Sequence, residues 1–197
     1  MPERYPSLTR RGWGRGWRAG LVPRYPRRVA HPRVEQLRFA RSEWQRGLRG
    51  LTAADAIRRL EPMNSISWMI GHLAWHERLI SIDRGQGIRA EPILDAVANG
   101  APASTPDMAA MWAAWHRVID MADPFLDDLT VADLERPLPH DGRSSPTLAG
   151  SQLQRITYHY WCHIGEASAI RQILGHRRLA QFVGDIDSIA PYRREIP

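Results

Sequence analysis

The 197-residue chain is 43% hydrophobic and 24% charged, which suits one globular domain with a full-sized core. No apolar run reaches the roughly 18 residues that cross a bilayer, and the start of the chain has no apolar h-region, so neither a membrane span nor a secretory signal is expected, and a cytoplasmic protein is. Cys162 is the only cysteine, which rules out an internal disulfide or a Cys-rich zinc knuckle and leaves His and carboxylates as the ligands of any metal.

A net charge of +6 and a pI near 10.3 suggest nucleic acid until the charges are located. Residues 1 to 41 hold eleven Arg against Glu3 and Glu35, whereas the remainder holds sixteen Arg against nineteen acids. The body of the protein is therefore mildly acidic. The first segment, residues 1–32, is rich in Arg, Gly, Pro and aromatics without a hydrophobic period, and is expected to be a disordered arm that folding does not need. Its Trp13, Arg15 and Trp17 interleave as in single-strand-binding segments. Because every basic residue of the chain is Arg and none is Lys, that pattern is weak, and no specific nucleic-acid partner is expected.

A bundle is expected over residues 33–178. Val34, Leu37, Ala40, Trp44 and Leu48 recur at three and four residues and predict a helix over 34–49. A brief helix is expected from Ala53 to Leu60, stopped by Pro62. Asn64 would cap a second long helix over 64–83, with Ile66, Met69, Ile70, Leu73 and Ile80 on one side and a stripe of Met69, His72, His76 and Leu79 beside it. The interior Gly71 costs about 1 kcal/mol against Ala, which points to close approach of another backbone or to an ion site. Residues 84–104 read as a long connection with one helical turn. Ser104 or Thr105 would cap a third helix over 106–122, broken or kinked by Pro124, with Asp123 capping a short continuation. Residues 136–146 read as an extended loop, and residues 179–197 as a tail wrapping the bundle. The expected architecture is all-α, a four-helix bundle with long connections.

The last long helix, over 147–174, carries the chemistry. Apolar or small residues recur at Ala149, Leu153, Ile156, Tyr160, Ala167, Ile170 and Leu174, and His163 fills the gap in the series. His159 and His163 are one turn apart on one face, the way a helix presents two nitrogens to one ion. Eight histidines in 197 residues give by chance about 0.3 pairs at this spacing, and this chain has two, the other being His72 and His76. A single buried His is usually an ordinary hydrogen-bonded one; two such pairs argue for a site. Glu166 shares the His159–His163 face, as an oxygen ligand, an orienting carboxylate or a proton acceptor.

The segments EPMNSISWMIGHLAWHE and TYHYWCHIGEASAIRQILGH, followed by FVGDI, resemble the DinB superfamily of four-helix bundles over about residues 34 to 194. The resemblance implies that Gly71-His72 of the second helix and His159 and His163 of the last together supply three histidines to one divalent metal, Zn, Ni, Fe or Mn. Some members are low-molecular-weight thiol transferases, so the implied activity joins a small thiol, made a thiolate by the metal, to an electrophile. The alternatives are a metal-dependent hydrolase, with Glu166 or His76 moving protons, and a non-catalytic, stress-associated bundle that binds a metal or ligand, or a homodimer serving as an interaction module. His76 is expected to lie beside the ligands without joining them, Cys162 to be a small buried thiol, and Glu77 to pair elsewhere. Trp68, Trp75, Trp112, Trp115 and Trp161 are expected in the core, one or two walling a pocket, with His116 and His140 on the surface. No nucleotide loop, dinucleotide fingerprint or Ser-His-Asp order is present.

Overall fold

The computed structural model describes residues 30–140, 143–181 and 183–193, with the side chains of residues 140 and 143–146 excepted. The fold is all-α with one small hairpin. The expected arm with Trp13, Arg15 and Trp17 lies, up to residue 29, outside the described residues, as does the side chain of His140.

Helix α1 (Pro32–Gly47) starts where Pro is tolerated, with His31 Nδ1 accepting from the Arg33 N–H. It buries Val34, Leu37, Ala40 and Trp44 as the periodicity requires. The brief helix α2 (Ala53–Ala56), capped by Thr52, is half as long as expected. Helix α3 (Ile66–Glu77) is capped by Ser65, whose Oγ accepts from the Trp68 N–H, and not by Asn64. It runs on as a π-helical stretch, Arg78–Arg84, so the expected length of the second long helix is covered by two kinds of winding.

A short 3-10 helix at Pro92–Val97 lies in the connection that follows. Helix α4 (Met108–Asp127) is capped by Asp107 at 2.7 Å from Ala110 N, whereas the Ser104 carbonyl accepts from Ser65 Oγ. Pro124 does not break this helix. Pro124 is exposed, so the carbonyl it leaves unpaired one turn earlier can face water, while Arg38 on Asp127 and Arg41 on Asp123 hold the last turn against α1. Asp123 is thus an ion-pair residue inside the helix and not a cap. After helix α5 (Val131–Leu134), residues expected to form an extended loop pair as antiparallel strands β1 (Pro137–His140) and β2 (Arg143–Leu148). Helix α6 (Ala149–Ile173) ends at Gly175, whose φ of 82° suits glycine.

The four long helices α1, α3, α4 and α6 form one bundle, with α3 against α4 and α6, and α1 against α6. The C-terminal segment lies along α1 through Gly184 N–H on Glu43 and Gln36 on the Ala190 carbonyl, with helix α7 (Ile186–Ile189) between them. Among the described residues no helix is long and apolar enough to cross a membrane.

One buried polar chain touches all four long helices. Trp115 of α4 donates to the Tyr160 hydroxyl of α6 at 2.7 Å, and Tyr160 donates to Glu77 of α3. Glu77 also accepts from Arg41 of α1, whose other branch donates to Asp123 of α4 at 2.7 Å. Glu77 is fully buried and Arg41 nearly so. Burial lowers the Arg41 pKa, yet the Glu77 charge and hydrogen bonds more than reverse this and leave it above the ordinary value. Burial, reinforced by the Glu77 charge, raises the Tyr160 phenol well above its usual range. Glu77 therefore pairs away from the histidines, as its angle on the helix requires.

Candidate metal centre

Two residues of this chain are sequence neighbours of the paired histidines: Glu77 follows His76, and Tyr160 follows His159. The bond between them sets the height of α3 against α6. On the adjoining faces His72, His159 and His163 come together, one ring nitrogen of each within 4.8 Å of the others. The rings of His159 and His163 cross that of His72 nearly at right angles, with centroids 5.0 and 5.6 Å away. Trp68 stacks on His72 at 4.4 Å and Trp75 at 5.7 Å, so one indole of the core and one at a cavity wall hold the ring plane.

Each ring has a partner on Nδ1. His72 Nδ1 lies 2.7 Å from the Val97 carbonyl, which only accepts, so Nδ1 carries the proton and Nε2 offers its lone pair. His163 Nδ1 lies 2.5 Å from the Glu166 carboxylate, with the same result. His159 Nδ1 lies 2.7 Å from His76 Nδ1, and either ring can donate. His159 Nε2 is 2.9 Å from His163 Nε2 and serves there as the donor; when its proton resides on Nδ1 instead, His76 accepts it and His159 also offers Nε2. The set then comprises three neutral imidazoles, each aimed by a second group, as metal-binding histidines are.

Electrostatics agree with neutral rings at His72, His76 and His159. Burial, opposed by the Val97 carbonyl, brings His72 down to about 4. Burial and then His163, His76 and His72 bring His159 down to about 3. His76 is lowered to about 4 by burial and by the nearby His72, Arg155 and Arg84. The hydrogen bond from His163 holds Glu166 below the usual carboxylate range. Nitrogens sharing a tetrahedral zinc stand about 3.3 Å apart, a value bracketed by the 2.9 Å pair and the 4.8 Å limit of the set. The donor set fits a divalent ion.

A cavity of about 530 Å³ opens beside the cluster, lined by His72, His76 and His159 together with Trp75, Leu79 and Arg155 among others. Neither His163 nor Glu166 borders it. Glu166 is thus placed behind a ligand, and His76 is a further histidine that faces the open space.

Gly71 departs from expectation. A Cβ there would lie 2.4 Å from Met111 Sδ and 2.9 Å from Val97 Cγ2, so the glycine admits α4 and the 3-10 turn, and not α6. Its link to the site is indirect, through the Val97 carbonyl. Cys162 is exposed and not buried; with Tyr158, Gly165 and Ala169 it forms the stripe of α6 that no helix covers. His116 is exposed, against Trp115. Sequence reasoning missed the Val97 carbonyl and the His76–His159 bond. A backbone acceptor 25 residues away leaves no mark in the sequence, whereas the second i,i+4 histidine pair was a signal for His76.

No curated protein matches the chain. A sequence profile of the DinB superfamily matches residues 36–167, a span that contains both histidine pairs, Glu166 and the whole polar chain through the four helices. With the bundle and the three converging histidines, this match over about two thirds of the sequence identifies the chain as a member of the DinB superfamily.

Proposed function

We propose that the protein is a metal-dependent transferase that activates a low-molecular-weight thiol for attack on an electrophile, with His72, His159 and His163 as the metal ligands. The observation that carries this reading is the convergence of three histidine ring nitrogens from two helices, two of the three histidines, His72 and His159, lining an open cavity. A divalent zinc, nickel, iron or manganese ion held there supplies the Lewis acidity that makes a thiol ionise near neutral pH. Val97, His76 and Glu166 fix the ring orientations, and Trp68 and Trp75 keep the His72 plane. His76, kept neutral by burial and bordering the cavity, offers an incoming ligand a hydrogen-bonding ring nitrogen beside the three histidines. Glu166 positions His163.

Purified without a histidine tag and reconstituted with zinc, the wild type should hold close to one ion per chain by elemental analysis. His159→Ala and His163→Ala should lose most of it, whereas His76→Ala should still bind, more weakly. Small thiols are then screened against an electrophile with and without chelator. Chelator-sensitive consumption of thiol supports transfer. Chelator-sensitive turnover without thiol would replace it with hydrolysis by the same site, and turnover of neither kind would leave a binding bundle.

A further inference from the structure

The histidine stripe of α6 continues one turn towards the helix N-terminus. Arg155, His159 and His163 stand at i, i+4 and i+8 and share a face, with Glu166 at the far end. Arg155 is exposed at one wall of the histidine cavity. The other guanidiniums near the site do not line the cavity: Arg78 is held by Asp95, Arg41 by Glu77 and Asp123, and Arg84, close enough to act on His76, lies outside the lining. Arg155 makes no ion pair among the described residues, and no acid borders the cavity. The open volume lies on the Arg155 side of the histidines, because His163 and Glu166 are not on it. Besides Arg155 and the histidines, the cavity is lined by the apolar Trp75 and Leu79 and by Asn99 and Tyr158.

From this arrangement we infer that the cavity takes a carboxylate-bearing ligand, its carboxylate seated on Arg155, its apolar body along Trp75 and Leu79, and its reactive end at the histidines. The inference rests on the reading of the histidines as the reactive end and adds the substrate class. Arg155 and His159 are separated by about 6 Å of helix rise, so the carboxylate and the reactive atom belong to one small molecule. A lone guanidinium suits a monoanion, which it grips with two parallel N–H donors, better than a phosphate dianion, whose sites gather several donors.

The test uses the full chain, stripped of metal so that no ion competes for the carboxylate, and two matched probes, 4-phenylbutyrate and 4-phenylbutyramide. Binding is read by calorimetry, and zinc uptake is measured on the same preparations. Wild type should prefer the acid by about tenfold, the size of one half-exposed charge-assisted hydrogen bond. Arg155→Gln should bring the two probes to parity with unchanged zinc uptake, and Arg155→Lys should keep part of the preference. Equal binding of acid and amide by wild type, a preference that survives Arg155→Gln, or no binding of either probe at millimolar concentration overturns the inference. Tighter, Arg155-dependent binding of phenyl phosphate overturns the choice of carboxylate. Loss of zinc uptake with the acid preference intact would instead sink the metal reading and leave the anion seat standing.

Discussion

Replacing Glu77 by Gln changes one oxygen to an amide nitrogen at the centre of the polar chain, with no change of volume. Arg41 presents Nε to both carboxylate oxygens at 3.1 and 3.0 Å, and Nη2 to one of them. A carboxamide can accept on one side only, and its NH₂ would face a guanidinium donor or the Tyr160 hydroxyl. Arg41 would remain a buried cation whose only acid is Asp123, itself 38% exposed. Removing one partner of a buried ion pair costs about 3–5 kcal/mol, and the surviving Asp123 contact puts this case near 3. In a domain of this size that lowers the melting temperature by about 6–12 °C. Urea unfolding of the metal-free protein measures it, with an unchanged m-value showing that the loss is one of stability. A loss under about 1 kcal/mol would refute the reasoning, because it would mean that the chain is hydrated or that Asp123 alone compensates Arg41. The double variant Arg41→Met, Glu77→Leu should recover most of the loss, since it removes both charges and not one.

Three further outcomes are expected. The folded-state pKa values of His72, His76 and His159, lowered to between about 3 and 4, lie below the ordinary 6.5, so the unfolded chain binds more protons between these values. Stability of the metal-free protein should be full above pH 6.5 and fall as the pH drops towards 4; a melting temperature that stays flat from pH 7 to 5 would contradict the burial of neutral rings. Gly71→Ala sets about 1 kcal/mol of helix propensity against about 1–3 kcal/mol of overpacking on Met111 and Val97. Its net loss of about 1 kcal/mol should come with weaker zinc binding, as the Val97 carbonyl is displaced from His72, and wild-type zinc affinity in this variant would count against that linkage. Glu166→Gln should weaken zinc binding about tenfold or more, as loss of an orienting carboxylate does, while His163→Ala should nearly abolish it; competition titration with a chromogenic chelator separates the two.

The positions of the long helices were legible because their apolar residues follow the 3.6-residue period, and the two histidine pairs because a spacing of four is one turn. Details set by tertiary contact were not. Pro124 reads as a breaker in any local scheme, and only the solvent on its own face and the arginines of α1 explain why α4 continues. Residues 136–146 read as a loop because of their Pro and Ser content, although Asp141-Gly142 is a hairpin signal that was available. Cys162 adjoins a buried histidine, but its exposure depends on which stripe of α6 the neighbouring helices leave open. The partners of the ring nitrogens come from a carbonyl, a second histidine and a carboxylate on different turns, and periodicity cannot register them.

The polar chain from Trp115 to Asp123 also bears on how an ion enters and leaves. Apolar helix faces tolerate sliding by a turn, because one leucine fills a gap much as another does; directional bonds among Arg41, Glu77 and Tyr160 do not. Locked at one height by groups that owe nothing to an ion, α3 and α6 keep their histidines in reach of one another in the empty protein. Chelation should then leave a folded bundle, and one ion should exchange for another through the open cavity without any helix having to melt and re-form.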